Sequence, residues 1–175
     1  MKIIQMKKKI CMLGYFGVGK TSLTERFVYN RFEEKYLTTI GVKVSQKLLP
    51  PVYCKSKEKK IQYEFLIWDI ASLDKFDSMI KNYYVGAAGA LAIGDLTRIE
   101  TSEALIDICQ KFLDISPTGK LLFIGNKIDI AKDSFPEHKR LQEIADQFGS
   151  DFLFTSAKTG EQVETAFLKL AEKLS

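Results

Sequence analysis

Short extended runs, some apolar throughout and some alternating apolar with polar residues, alternate with stretches in which apolar residues recur every three or four positions. Runs of the first kind lie at 8–14, 42–50, 61–69, 88–94, 120–125 and 151–155. Each is the length of a strand. Stretches of the second kind lie at 20–29, 74–84, 101–114, 136–148 and 160–174 and predict helices. Ala88-Gly89-Ala90-Leu91-Ala92-Ile93-Gly94 is apolar throughout, as in a strand covered on both faces. The runs at 42–50 and 61–69 follow each other without a helix and predict a hairpin, with Pro50-Pro51 at its end or edge. Thr101 or Ser102 is a plausible cap for the helix at 101–114. Pro136 opens the next helix and Gly149 closes it. The alternation predicts an α/β chain with a mostly parallel sheet and helices on both faces.

Between the first strand and the first helix stands Gly14-Tyr15-Phe16-Gly17-Val18-Gly19-Lys20-Thr21. It matches the phosphate-binding pattern G-x-x-x-x-G-K-[ST] in the strand–loop–helix setting that the pattern needs. Glycines let consecutive backbone N–H groups turn inward around an anion, and the helix start adds its positive dipole end. Lys20 can reach terminal phosphates, and the Thr21 hydroxyl, followed by Ser22, can ligate Mg²⁺. Ligands of such sheets sit at the carboxyl ends of the strands. Asp69, Asn126-Lys127-Ile128-Asp129 and Thr155-Ser156-Ala157-Lys158 fall at those ends too.

Composition narrows the class. The chain has 175 residues, 46% of them hydrophobic, enough for one domain with a full core. The net charge of +4 is mild and dispersed, so nucleic acid is not an expected partner. The three cysteines have no paired spacing and read as free thiols of a reducing, cytoplasmic setting. No apolar run reaches 18 residues, and no signal peptide is expected.

With these motifs in order, the chain resembles the Ras-like small GTPases, and most closely their Rab branch. The resemblance rests on the glycine loop, Thr39-Ile40-Gly41-Val42, Trp68-Asp69, Tyr83-Tyr84-Val85-Gly86-Ala87, Asn126-Lys127-Ile128-Asp129 and Thr155-Ser156-Ala157-Lys158. It implies a single-domain P-loop fold over residues 1–175. That fold has a six-stranded, mostly parallel sheet with one antiparallel edge strand and five helices. It implies GTP or GDP with Mg as cofactors. Asp129 would accept the guanine N–H groups, Asn126 would order the loop, and Lys127 would lie over the base. Phe32 would pack on its other side, and the Ala157 amide would meet the guanine oxygen, within the Ser156–Lys158 loop. Gly14, Phe16, Gly17, Val18, Gly19, Lys20, Thr21 and Ser22 would cradle the phosphates. Tyr36 and Ser72 would close on them. Thr21, Thr39 and Asp69 would form the metal site. Effectors, exchange factors and activating proteins would dock through residues about 36–42 and 70–80.

The second switch departs from the family pattern Asp-x-Ala-Gly-Gln-Glu; here it reads Asp69-Ile70-Ala71-Ser72-Leu73-Asp74. Lys20 and Thr39 keep their catalytic roles, but Leu73 stands where a glutamine orients the attacking water. An isobutyl group can neither donate nor accept a hydrogen bond. Ser72 replaces a glycine whose N–H meets the terminal phosphate. Phe16 puts a ring where the family carries a small residue, and Gly94 replaces a frequent aromatic. The expectation is a switch with slow GTP hydrolysis; the alternative is a GTP-locked module acting as a scaffold. An ATP-using enzyme is disfavoured by the two guanine motifs.

Three local features complete the sequence reading. The basic stretch Lys55–Lys60 reads as a solvated turn rather than a contact for an acidic partner or anionic lipid. No cysteine follows Cys109, so peripheral membrane association would need a lipidated tail beyond Ser175. His138, among Glu137, Lys139 and Arg140, is expected to face solvent.

Overall fold

The first strand carries alternating side chains to two cores, and the rest of the sheet repeats the pattern. In this computed structural model, residues 3–35, 37–54, 58–71 and 77–175 are described, with Asp77 by its backbone alone. Strand β1 (Ile3–Gly14) is followed by helix α1 (Lys20–Tyr29), β2 (Val42–Leu48), β3 (Val52–Cys54) and β4 (Lys59–Ile70). Then come α2 (Asp77–Tyr84), β5 (Gly89–Asp95), α3 (Ile99–Ile115) and β6 (Lys120–Asn126). A 3₁₀ turn (Ile128–Ile130), α4 (Phe135–Gln147), β7 (Phe152–Thr155) and α5 (Val163–Lys173) finish the chain.

The strands form one seven-stranded sheet in the order β2-β4-β1-β5-β6-β7, with β3 beside β4. β2 and β3 run antiparallel to β4; all other pairs are parallel. The expected antiparallel edge strand is thus broken in two at Leu49-Pro50-Pro51, where proline cannot donate to the ladder. The break raises the strand count from six to seven. The five expected helices are present.

Ile10 and Met12 of β1, Leu91 and Ile93 of β5, and Leu122 and Ile124 of β6 face one core, closed by α1 and α5. There Phe27 and Phe167 stack with centroids 3.9 Å apart. Cys11, Leu13, Ala90, Ala92, Leu121 and Phe123 face the other core, under α2, α3 and α4. This two-faced burial is why the strands read as unbroken apolar runs. α1 stops at Asn30, whose left-handed backbone (φ 51°) lets its N–H return to the Arg26 carbonyl. All three cysteines are buried, and burial pushes the Cys11 and Cys109 thiols up to about 12. No helix among the described residues is long and apolar enough to cross a membrane.

Two local expectations are corrected. Helix α3 begins at Ile99, so Thr101 and Ser102 are not its caps. Thr101 sits inside the first turn, where its hydroxyl accepts the Asp95 N–H (2.8 Å) and donates to the Arg98 carbonyl (2.7 Å). Ser102 packs against Gly94: a Cβ on Gly94 would lie 2.8 Å from the Ser102 Oγ, which explains why no aromatic stands there. His138 is half-buried rather than exposed. Its ring packs at a tilt against Phe154, with centroids 4.5 Å apart, and its Nε2 lies 2.8 Å from the Ala131 carbonyl oxygen.

Candidate functional site

β1, β4, β5, β6 and β7 all end on the same side of the sheet, at Gly14, Ile70, Asp95, Asn126 and Thr155. A cavity of about 550 Å³ opens above these ends. It brings together Phe16, Gly17, Gly19, Lys20, Thr21, Ser22, Phe32, Thr39, Asn126, Lys127, Asp129, Ala157 and Lys158 from the sequence analysis. Tyr36, Ser72 and Leu73 lie outside the described residues.

The loop's conformation explains its glycines. Gly19 has φ +108°, and a Cβ there would come within 2.3 Å of the Asn126 Nδ2. Gly14 has φ +154°, and its Cβ would meet the Ile93 carbonyl oxygen at 2.5 Å. Side chains at either position would push the loop off the sheet. Val18 is buried, and its carbonyl accepts the Asn126 amide at 3.0 Å. Lys127 donates to the Gly17 carbonyl at 3.0 Å. Phe16 projects outward, 45% exposed, at the mouth of the cavity.

Lys20 is buried, with its Nζ donating to the carbonyls of Gly14 (2.8 Å) and Tyr15 (3.1 Å). Desolvation lowers its pKa to about 8, against the pull of the Asp69 carboxylate. The Thr21 hydroxyl donates to the Asp69 Oδ2 at 2.5 Å, and the Thr39 hydroxyl lies 2.6 Å from the Thr21 oxygen. Asp69 is 1% exposed, and its Oδ1 has no hydrogen-bond partner among the described residues. Burial pushes its carboxyl up, while the Thr21 hydrogen bond and the Lys20 charge pull it down. A buried carboxylate oxygen without a partner is costly. Beside two hydroxyls it makes an all-oxygen donor set that suits a hard cation such as Mg²⁺. The donor set therefore fits the expected metal.

At the far end, Asn126 is the hub. Its Oδ1 accepts the Thr155 hydroxyl (3.1 Å) and the Ala157 N–H (3.2 Å). The Asp129 Oδ1 accepts the Ser156 hydroxyl at 2.8 Å, which aims the carboxylate into the cavity. Phe32 lines the cavity and packs against the core formed with α5. Lys158 keeps its ammonium exposed, 3.6 Å from Glu34.

The structure also shows groups that the sequence analysis did not select. Asp95, 1% exposed, ends β5 and pairs with Lys127 (2.7 Å) and Arg98 (3.1 Å). Arg98 in turn donates to the Phe16 carbonyl at 2.8 Å. Arg26 of α1 crosses to the carbonyls of Ala157 (2.9 Å) and Lys158 (2.5 Å). Asp95 had a readable signal, a carboxylate closing an apolar strand as Asp69 does. Arg26 had none, because its partners are main-chain oxygens more than 130 positions away.

A sequence model of the Ras family matches residues 9–175. The chain belongs to the Ras family. Similar proteins include the zebrafish (Danio rerio) Ras-related protein Rab-4A, 35% identical over 167 residues, or 95% of this chain and 75% of that protein. Ras-related protein Rab-1C of Dictyostelium discoideum is 32% identical over 173 residues, covering 97% of this chain and 81% of that one. Ras-related protein Rab-1 of Theileria parva is 32% identical over 168 residues, covering 95% and 73%. This Ras-family chain therefore sits on the Rab side of the small GTPases, and its fold is the one the resemblance implies.

Proposed function

We propose that this protein is a guanine-nucleotide switch that binds GTP and GDP with Mg²⁺ and hydrolyses GTP slowly. The observation that carries the reading is the buried Asp69 Oδ1, without a hydrogen-bond partner among the described residues, beside the Thr21 and Thr39 hydroxyls and the Lys20 amine. Thr21, Thr39 and Asp69 would hold the metal, which when bound neutralises charge on the terminal phosphates. Lys20 supplies a point charge to those phosphates, and the backbone of Gly17–Lys20 supplies N–H donors. Asp129 selects the base by accepting N–H groups that guanine presents and adenine lacks. A wrong base leaves that acceptor unpaired.

Slow turnover follows from side-chain chemistry. Leu73 cannot orient a water, because it has neither donor nor acceptor. Phe16 stands at the mouth of the cavity, where it obstructs an arginine supplied by an activating protein. The readout is docking of effectors through residues 36–42 and 70–80, in a setting of vesicle traffic or signalling suggested by the Rab-named relatives. Leu37 (64% exposed) and Ile40 (92% exposed) offer apolar contact there.

Single-turnover hydrolysis of bound GTP is the test. The wild type should be slower than its Leu73→Gln variant by one to two orders of magnitude. Equal rates would end the slow-switch reading. Leu73 also favours a second reading, a GTP-locked interaction module. Nucleotide extracted after purification separates the two: mainly GTP indicates the lock, mainly GDP the cycling switch.

A further inference from the structure

We propose that the open side of β1, along Ile3–Lys8, takes an added strand from an acidic extended segment of a partner protein. β1 pairs with β4 from Ile3 to Met12, but with β5 only from Ile10 to Gly14. Over Ile3–Lys8, therefore, no described strand lies on its second side. The first link on that side is the Ala88 N–H to the Lys9 carbonyl, at 2.9 Å. Main-chain groups alternate sides along a strand, so Ile3, Gln5 and Lys7 share the parity of Lys9 and direct N–H and C=O to the open side. Such a row is a template for strand addition, in which main-chain bonds give affinity and neighbouring side chains give selectivity.

The space beside this edge is open. A cavity of about 480 Å³ lies there, bounded by Lys7–Lys9, by Gly86–Ala88 leading into β5, and by Ile115–Thr118. It opens at the end of β1 away from Gly14. Lys8 lies roughly 20 Å along the strand from the phosphate loop, at about 3.3 Å per residue. The surface is thus separate from the nucleotide cavity.

Charge selects the occupant. Three consecutive lysines border the cavity, and no acidic residue among the described residues lines it. Lys8 lies on one face of the strand and Lys7 on the other, so both faces of an added strand meet an ammonium group. The Lys9 Nζ is already engaged by the Val85 carbonyl (3.0 Å) and stands over the Trp68 ring (3.8 Å). Lys7 makes an exposed pair with Glu64 at 3.4 Å. A second copy of this chain would bring its own lysines to the same edge, and edge lysines oppose such self-pairing. An acidic segment turns the same lysines into attraction.

The test uses the full chain and a dye-labelled, end-capped peptide of alternating glutamate and valine, read by fluorescence anisotropy. Saturable binding that weakens with salt is expected, with no binding of the lysine–valine counterpart. Gln5→Pro deletes an outward N–H while sparing the β4 ladder, and should lower affinity by about tenfold or more. Lys8→Glu, a surface change that does not touch the backbone, should lower it similarly. Absence of binding to the glutamate–valine peptide overturns the proposal. So does unchanged binding in either variant when its melting curve matches the wild type. A dimer in sedimentation that Gln5→Pro dissociates would instead assign the edge to a second copy.

Discussion

Asp95 and Lys127 form an ion pair of 2.7 Å at the start of the Asn126–Asp129 loop, with the Asp95 side chain buried and the Lys127 side chain one-third exposed. The pair ties the end of β5 to the loop after β6, and Lys127 carries the tie onward to the Gly17 carbonyl. Burial alone would raise the Asp95 carboxyl. Hydrogen bonds from Lys127 and Thr97 and the Lys127 charge outweigh it and hold the group below its ordinary value. A carboxyl held low in the folded state adds stability above its unfolded pKa, about 3.9, and loses it as pH falls through the folded value. Asp95→Asn should cost about 2 kcal/mol at neutral pH. Melting curves of both proteins across pH should show the gap closing below about pH 4.

Lys20 gives a pH dependence of opposite sense. Its pKa of about 8 reflects desolvation, partly offset by Asp69. A bound polyphosphate favours the charged amine, so binding takes up a proton wherever free Lys20 is neutral. GDP affinity should be flat below about pH 8 and should fall as pH rises beyond it. Calorimetry in buffers of different ionisation enthalpy checks the proton uptake: none at pH 7, up to one proton at pH 9.

The Phe27–Phe167 stack joins α1, which begins at the phosphate loop, to α5. Phe167 is fully buried. Phe167→Ala should cost about 3–5 kcal/mol by leaving a cavity in that core. Denaturant unfolding measures it. Nucleotide release should also quicken, because α1 loses its backing.

The sheet and the site were legible to different depths. β5 and β6 announced themselves because both faces are buried, so no polar residue interrupts the run. The phosphate loop was legible because its glycines meet hard constraints, the Ile93 carbonyl and the Asn126 amide. The edge was less legible: Leu49 is buried while Pro50 and Pro51 are not, so one extended run conceals a break between β2 and β3. His138 misled because its charged neighbours mark a polar face, while Phe154, which its ring packs against, belongs to a strand 16 positions later. Arg26 and Arg98 act on main-chain oxygens, which carry no sequence signature.

Asp129 is proposed to read a guanine ring at the end of the cavity, where Ser156 holds its carboxylate. Competition of GDP against xanthosine diphosphate, for the wild type and for Asp129→Asn, tests this most directly. The wild type should favour GDP, and the variant should reverse the preference by about two orders of magnitude or more, because an amide can donate to the xanthine oxygen. An Asp129→Asn protein that keeps the wild-type preference would contradict the account.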